Sequence, residues 1–278
     1  MKAHPFSAGQ TGEEVNPKGG LAVARRLLYD SAEAWGLSPT VVFLIAVLPI
    51  FVAMVGVILA LTSKELYVLF TREDGIAEDL QVTLYVFSLL LCLRITWRRW
   101  QAGERLIAFL YLGLNLGFIF LIGEEISWGQ RIFGWQTTAT LAEVNRQGET
   151  NLHNINGVEG AFRWVELLMG LFGTLLPILL ARWTPTLRWQ KLSSAIIPHY
   201  SLVPYFFMLL PWRFYRIFLE HPEKHRFAIA EYSEVIELII ALAFFFFLVF
   251  QVRKLNRAKA DPPIASIMAE RSTRPRKG

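Results

Sequence analysis

Charged residues are scarce in this 278-residue chain: 18% of its residues are charged, whereas 54% are hydrophobic and 14% are aromatic. A soluble globular domain usually carries about a quarter charged residues. The shortage therefore argues against a soluble protein. It directs attention to apolar runs that are long enough to cross a bilayer.

Cysteine and histidine are scarce too. The one cysteine, Cys92, lies in an apolar run and cannot form a disulfide within the chain, so cysteine usage does not indicate a redox compartment. Five histidines are too few to build the multi-histidine boxes of membrane desaturases.

Several catalytic motifs are absent. The sequence has no GxxxxGK[ST] phosphate loop, no GxGxxG after a strand and no GxSxG elbow. Nucleotide binding and serine-hydrolase chemistry therefore lack support. The chain also shows no internal repeat of the kind found in many secondary transporters. No cleavable signal peptide is expected, because the first 38 residues are polar or amphipathic.

What the chain has in abundance is long apolar runs. A membrane-spanning helix needs about 20 consecutive, mainly apolar residues, and six segments meet or approach that length. They predict an all-α fold, a polytopic membrane bundle of about six transmembrane helices. The predicted spans are 41–61, 77–95, 105–123, 162–181, 195–212 and 233–252.

The spans divide the chain into three parts. Residues 1–38 form an N-terminal segment, in which 21–36 are predicted to make an amphipathic helix on the membrane surface. Residues 39–253 form the transmembrane domain. Residues 254–278 form a basic tail that we expect to be disordered, and anionic membrane lipids would attract it. Nucleic-acid binding is not expected.

Charge predicts the orientation of the bundle. Nineteen of the 28 lysines and arginines fall on one side of the predicted spans, and by the positive-inside rule this side is cytoplasmic, with both termini inside. Sixteen of the 23 acidic residues fall on the other side. Because Asp and Glu contribute little to orientation, the acidic outer face needs another explanation. We expect a multi-pass protein of a cell membrane, the inner membrane of a bacterium.

The stretch "GEEISWGQR" places two adjacent glutamates at the outer end of the third span. If the helix continues, Glu124, Trp128 and Arg131 share one face, and Arg131 pairs with Glu124 at the interface. Glu125 would then point about 100° away, toward a shared polar site. Trp128, Gln130 and Arg131 are also candidate residues for orienting a substrate.

Three more glutamates lie at the outer ends of other spans. Glu234 and Glu237 fall in the first turns of the sixth span, and Glu78 leads into the second. Ionisable residues inside a span are costly and usually face the bundle interior or a water-filled cavity. The alternative is that the sixth span begins later, which would leave Glu234 and Glu237 at the lipid headgroups.

The stretch "ETNLHN" and the stretch "HPEKH" supply candidate metal ligands. On a helix, Glu149 and His153 would share one face, and His221 and His225 have the spacing with which two imidazoles chelate one ion. Imidazole and carboxylate suit Zn²⁺ or another divalent metal. Asn151 and Asn154 are candidate orienting residues. The alternative is a hydrogen-bonded loop network without a metal.

"GEEISWGQR" followed by "NRQGETNLHN" resembles a signature of uncharacterised multi-pass membrane proteins of bacteria. The resemblance covers roughly residues 73 to 240 and brings no established reaction.

The leading hypothesis is a membrane-embedded, metal-assisted hydrolase or transferase that acts on a lipid or lipid-linked substrate at the outer leaflet. A carboxylate would act as general base, and the histidines would hold a divalent metal as cofactor. The candidate catalytic residues are Glu78, Glu124, Glu125, Glu234 and Glu237; the candidate metal ligands are Glu149, His153, His221 and His225.

Two alternatives belong to other classes. One is a proton- or ion-coupled carrier that uses the glutamates as a relay and needs a water path past Asn115. The scarcity of polar residues in the inner halves of the spans argues against it. The other is a non-catalytic assembly partner whose acidic outer face binds a basic protein.

Overall fold

The fold is all-α, as the sequence predicts. The computed structural model describes residues 20–72, 75–145, 148–152, 155, 157–180, 187–220 and 222–260. No β-strand is present among them; a single isolated β-bridge joins Asn145 to Ile155. The helices are α1 Gly20–Trp35, α2 Pro39–Thr62, α3 Lys64–Thr71, α4 Ile76–Gln101, α5 Arg105–Glu125, α6 Gln130–Phe133, α7 Ala139–Val144, α8 Val158–Leu180, α9 Leu187–Ile196, α10 Val203–Phe218 and α11 Arg226–Ala260.

Six segments of the described chain are helical, long and apolar enough to cross a membrane, which makes this a multi-pass membrane protein. They contain α2, α4, α5, α8, α10 and α11, one for each predicted span. Which side is cytoplasmic stays a prediction from the charge distribution. We call the end of the bundle where α4 begins and α5 ends the outer end, and the opposite end the inner end.

Helix α11 occupies the centre of the bundle. In the most apolar 18-residue stretch of this span, 67% of the residues are buried. In the corresponding stretches of the other five spans, 22–39% are buried. It packs against α2, α4 and α10. Between Leu238 and Phe250 its residues are apolar all round, which is typical of a helix segment buried on every side. Ile236, Ile239 and Leu248 are fully buried at these contacts.

The helix ends follow from local chemistry. The Ser38 hydroxyl accepts a hydrogen bond from the amide of Val41, and Pro39 occupies the first turn of α2, where its missing N–H costs nothing. Ser63 ends α2 and caps α3 by accepting from the amide of Leu66. The chain therefore turns at Ser63 without leaving the first amides of α3 unsatisfied.

A helix is present at Gly20–Trp35, where an amphipathic helix is predicted; its position on a membrane surface stays a prediction. Trp35 is fully buried and donates to the Ser201 hydroxyl over 3.0 Å. The guanidinium of Arg253 donates to the carbonyls of Trp35 and Gly36, each over 2.8 Å. Cationic donors at the last carbonyls of a helix stabilise its C-terminus, so α11 holds α1 at the inner end.

Substitution of Gly173 tests the contact between α8 and α10. A Cβ at this position would overlap Cγ of Phe206, a ring atom that cannot move aside alone. We expect Gly173→Ala to lower the free energy of unfolding by about 1–3 kcal/mol, the usual cost of overpacking. Thermal unfolding in mild detergent measures the change.

Gly160→Ala is the matched control, because a Cβ at Gly160 in the same helix meets no atom within 4 Å. This variant should unfold at the wild-type temperature or slightly above it, since alanine favours a helix more than glycine. Equal unfolding temperatures for both variants would contradict the close approach of α8 to α10.

Candidate functional site

Helix α5 ends at Glu125, and the chain turns sharply there. Ser127 and Trp128 have φ angles of 48° and 52°, values that residues other than glycine rarely adopt. The turn brings the Trp128 ring against Gly123, where a Cβ would lie 3.0 Å from it. The predicted continuation of the helix, with Glu124, Trp128 and Arg131 on one face, is therefore wrong.

Glu124 instead fixes the chain that follows the turn. Its carboxylate accepts one hydrogen bond from the Trp128 indole and one from the amide of Leu152, both over 2.7 Å. Glu124 is only 3% exposed. These two hydrogen bonds anchor the loop to the end of α5. The predicted catalytic role of Glu124 stays a prediction.

A second set of contacts completes this anchor. Glu149 accepts from the Ser127 hydroxyl over 2.6 Å and from the Asn151 amide over 2.9 Å. Asn145 donates to the side-chain oxygen of Asn151 over 2.8 Å. These contacts are of the kind expected for a hydrogen-bonded loop network, the alternative to a metal site at this stretch. We call Glu124, Ser127, Asn145, Glu149 and Asn151 the loop anchor.

Gln130 belongs to the same loop. Its side-chain oxygen accepts from the amide of Thr150 over 2.8 Å and from the hydroxyl of Thr137 over 3.0 Å. Gln130 and Asn151 therefore orient the loop itself. The predicted role of both residues in orienting a substrate stays a prediction.

The predicted metal ligands do not share the predicted helices. Residues 148–152 are not helical, so Glu149 does not present a ligand on a helix face. His225 lies in a short 3₁₀ turn, Glu223–His225, before α11 begins at Arg226. His153, Asn154 and His221 lie outside the described residues. Within the described part of the chain no three His, Cys, Asp or Glu side chains are grouped to hold a metal ion, so the metal hypothesis stays a prediction.

Four of the predicted glutamates come together at the outer end. Glu78 of α4, Glu125 of α5 and Glu237 of α11 each lie within electrostatic range of Glu234 of α11. The convergence explains why α4, α5 and α11 each carry acids at this end. Their chemical roles stay predictions.

Glu78 and Glu125 also line a cavity of about 420 Å³ that opens at this end. Its described wall combines these two carboxylates with Asp79 and Thr83. The apolar part of the wall consists of Val82, Ile126 and Ile132. The cavity therefore has an acidic side and an apolar side.

Buried polar groups hold the carboxylates in place. Gln81 is fully buried and donates to the carboxylate of Glu234 over 3.2 Å and to its carbonyl over 3.1 Å. Arg213 of α10 pairs with Glu166 of α8, and it pairs with Glu237 over 3.2 Å. One guanidinium thus ties α8, α10 and α11 together at the outer end. We call Glu78, Glu125, Glu166, Glu234, Glu237 and Arg213 the carboxylate cluster.

Four residues of this site are not predicted from the sequence: Glu166, Arg213, Gln81 and Tyr85. Tyr85 is buried within electrostatic range of Glu125, Glu166, Glu234 and Glu237. A usable signal exists for α4, because Gln81 and Tyr85 follow Glu78 at the three- and four-residue spacing of one helix face. Arg213 gives no such signal, since an arginine near a predicted span end is typical of the interface.

Comparisons with known proteins give no relative for this chain. No family model, no curated protein and no solved structure matches it. Any function proposed for the chain therefore has to be derived from the site alone.

Replacement of Glu124 tests the loop anchor. In Glu124→Gln one carboxylate oxygen becomes an amide donor that faces the Trp128 indole or the Leu152 amide, so one of the two hydrogen bonds is lost. Hydrogen bonds to charged groups contribute about 1.5–3 kcal/mol. We expect faster amide hydrogen exchange over residues 148–152, measured by mass spectrometry. The exposed Glu143→Gln is the control, and equal exchange in both variants would contradict the anchor.

Replacement of Arg213 tests the ion pairs. Arg213→Gln leaves Glu166 and Glu237 without the guanidinium, and removal of one member of a buried ion pair costs about 3–5 kcal/mol. We expect the low end, because the side chains of Glu166 and Glu237 are 17% and 30% exposed. The readout is the unfolding temperature in detergent.

A second substitution separates charge from packing. Arg213→Gln combined with Glu166→Gln removes one of the unpaired carboxylates, so it should recover part of the lost stability. If the double variant is less stable than Arg213→Gln, the pairing does not explain the role of Arg213.

Proposed function

We propose that this chain binds a lipid or lipid-linked substrate at the outer membrane boundary and acts on it as a hydrolase or transferase. The cavity that Glu78 and Glu125 line carries this proposal. The membrane would be the inner membrane of a bacterium. Glu125 is the proposed general base, and Glu78 is the second carboxylate of the site.

The division of the cavity wall into a polar and an apolar part supports a lipid as the substrate. An amphiphile needs a polar pocket for its headgroup next to an apolar surface for its chains. Glu78, Asp79 and Glu125 supply the first, and Val82, Ile126 and Ile132 supply the second. Ile132 and Asp79 are exposed on the surface of the bundle.

The charge of the wall supports a headgroup that carries an amine. Carboxylates accept strong, charge-assisted hydrogen bonds from ammonium groups. The described lining holds three acidic side chains and no basic one. An amine-bearing lipid, such as one with an ethanolamine headgroup, fits this wall better than a lipid whose headgroup is only anionic.

Two carboxylates on one wall also suit acid–base chemistry, in which one group accepts a proton from the attacking nucleophile and the other donates to the leaving group. Glu125 is partly exposed, whereas Glu78 is buried. The more accessible Glu125 is therefore placed to meet a nucleophile such as water. Glu234, which accepts a hydrogen bond from Gln81, lies within electrostatic range of both carboxylates.

Replacement of Glu125 tests the proposal. We expect Glu125→Gln to lower turnover of an amine-headgroup lipid by about 10²–10⁴-fold, the usual contribution of a general base. The protein would be reconstituted with phosphatidylethanolamine and a nucleophile, water or a second lipid, and products would be followed by mass spectrometry. Phosphatidylglycerol is the comparison substrate.

The control is Glu65→Gln, which changes an exposed glutamate of α3 at the same end of the bundle. It should leave turnover and lipid binding unchanged. Lipid binding is measured separately as thermal stabilisation by each lipid. Absence of stabilisation and turnover with either lipid in the wild type would overturn the proposal. Equal turnover in Glu125→Gln and wild type would overturn the role of Glu125.

A further inference from the structure

One face of α4 carries polar side chains along almost its whole length. From Glu78 to Cys92 they recur at the three- and four-residue spacing that places residues on one helix face, and Arg99 follows after the buried, apolar Ile95. All of them are buried: Glu78, Gln81, Tyr85, Ser88, Cys92 and Arg99. This polar face of α4 packs against α5 and α11.

The polar face is as long as a membrane is thick. Glu78 and Arg99 are 21 positions apart in α4. At 1.5 Å per residue this spacing corresponds to about 32 Å, close to the roughly 30 Å of a hydrocarbon core. The face therefore runs from the carboxylate cluster at the outer end to charged groups at the inner end.

Polar atoms along this route lack a hydrogen-bond partner in the described structure. They are the side-chain oxygens of Gln81, Ser88 and Asn115, and that of Gln251 nearer the inner end. Each of these residues is at most 2% exposed. Unpaired polar groups are disfavoured in a protein interior, and each calls for an explanation such as internal water or a functional role. Packing alone would favour apolar residues at these positions.

The inner half of the route is hydrogen-bonded. Asn115 of α5 donates to the Thr96 hydroxyl over 2.9 Å, and Thr96 donates to the carbonyl of Cys92 over 2.9 Å. One turn further, Arg99 pairs with Glu104 over 2.5 Å. Asn115, past which a carrier would need a water path, thus lies directly against the polar face of α4.

Glu104 is the acceptor at the inner end. Burial raises its pKa, but the hydrogen bonds from Lys191 and Arg99 outweigh this effect, so the pKa of Glu104 falls below its usual value. Its side chain is 15% exposed, and Lys191 pairs with it over 2.7 Å. Glu104 is therefore ionised at rest, and a proton that reaches it is readily released to water at the inner face.

We propose that the polar face of α4 is a proton pathway across the membrane, between the carboxylate cluster at the outer end and Glu104 at the inner end. It is a transport function, and it does not depend on the proposed lipid reaction. The charged groups that face the outer entrance are Glu78 from α4, Glu125 from α5, Glu166 from α8, Arg213 from α10, and Glu234 and Glu237 from α11.

The proposed steps conserve atoms and charge. A proton from outer water binds a carboxylate of the cluster. Tyr85, Ser88 and internal water each accept one proton and release another toward the inner end. The proton leaves through Glu104 to inner water. Only O–H bonds form and break, and one positive charge crosses for each proton, so no oxidant or reductant is needed.

The experiment measures proton flux into liposomes that contain the purified protein and a pH-sensitive dye, with a potassium gradient and valinomycin setting the membrane potential. We expect flux above that of protein-free liposomes. Tyr85→Phe and Ser88→Ala remove one hydroxyl each with little change of shape. Each should reduce flux by about tenfold, the effect of raising a barrier by the worth of one hydrogen bond.

Thr174→Val is the matched control, because Thr174 is also a buried hydroxyl without a described partner but belongs to α8. It should conduct like the wild type. Unfolding temperatures identify any variant that fails to fold, and each hydroxyl variant serves as a check on the other. Wild-type flux equal to that of protein-free liposomes overturns the proposal. Equal flux in Tyr85→Phe, Ser88→Ala and Thr174→Val overturns this route.

Discussion

The central constraint on this fold is that α11 brings carboxylates into the middle of the bundle. A helix buried on all sides normally carries only apolar residues, because an ionised group in a low-dielectric interior is costly unless it is paired. Gln81 donates to Glu234, and Arg213 pairs with Glu237. These contacts come from α4 and α10, so the positions of two other spans depend on the acids of α11.

The chain around the carboxylate cluster follows from a second requirement. Helix α5 must stop at the point where Glu125 reaches the cavity, and the chain must leave without covering it. Two residues with positive φ, Ser127 and Trp128, make this turn. Such a conformation persists only where the surroundings enforce it, and Glu124 provides that enforcement by accepting from Trp128 and Leu152. The two adjacent glutamates therefore have different surroundings: Glu124 binds the chain after the turn, and Glu125 faces the cavity.

The sequence predicts the spans well because hydropathy reports directly on the transfer of each side chain into lipid. It also predicts that acids converge at the outer ends of α4, α5 and α11, since ionisable residues avoid lipid and turn inward. It does not predict the turn at Ser127, because neither Ser127 nor Trp128 is a residue type that favours positive φ. It also misses Arg213, whose partner Glu166 is distant in sequence, and pairing across helices leaves no trace in local spacing.

The polar face of α4 changes the balance between the enzyme and carrier hypotheses. The inner halves of the spans are poor in polar residues when each span is counted alone, which argues against a carrier. The structure places three of them, Ser88, Thr96 and Asn115, where α4 packs against its neighbours, and Asn115 of α5 donates to Thr96 of α4. A proton pathway needs only one line of polar groups, so composition per span underestimates it. Because that line begins at Glu78, which also lines the cavity, lipid binding and proton entry would share one carboxylate. An amine headgroup bound at Glu78 would then oppose proton entry, since both add positive charge to the same small volume.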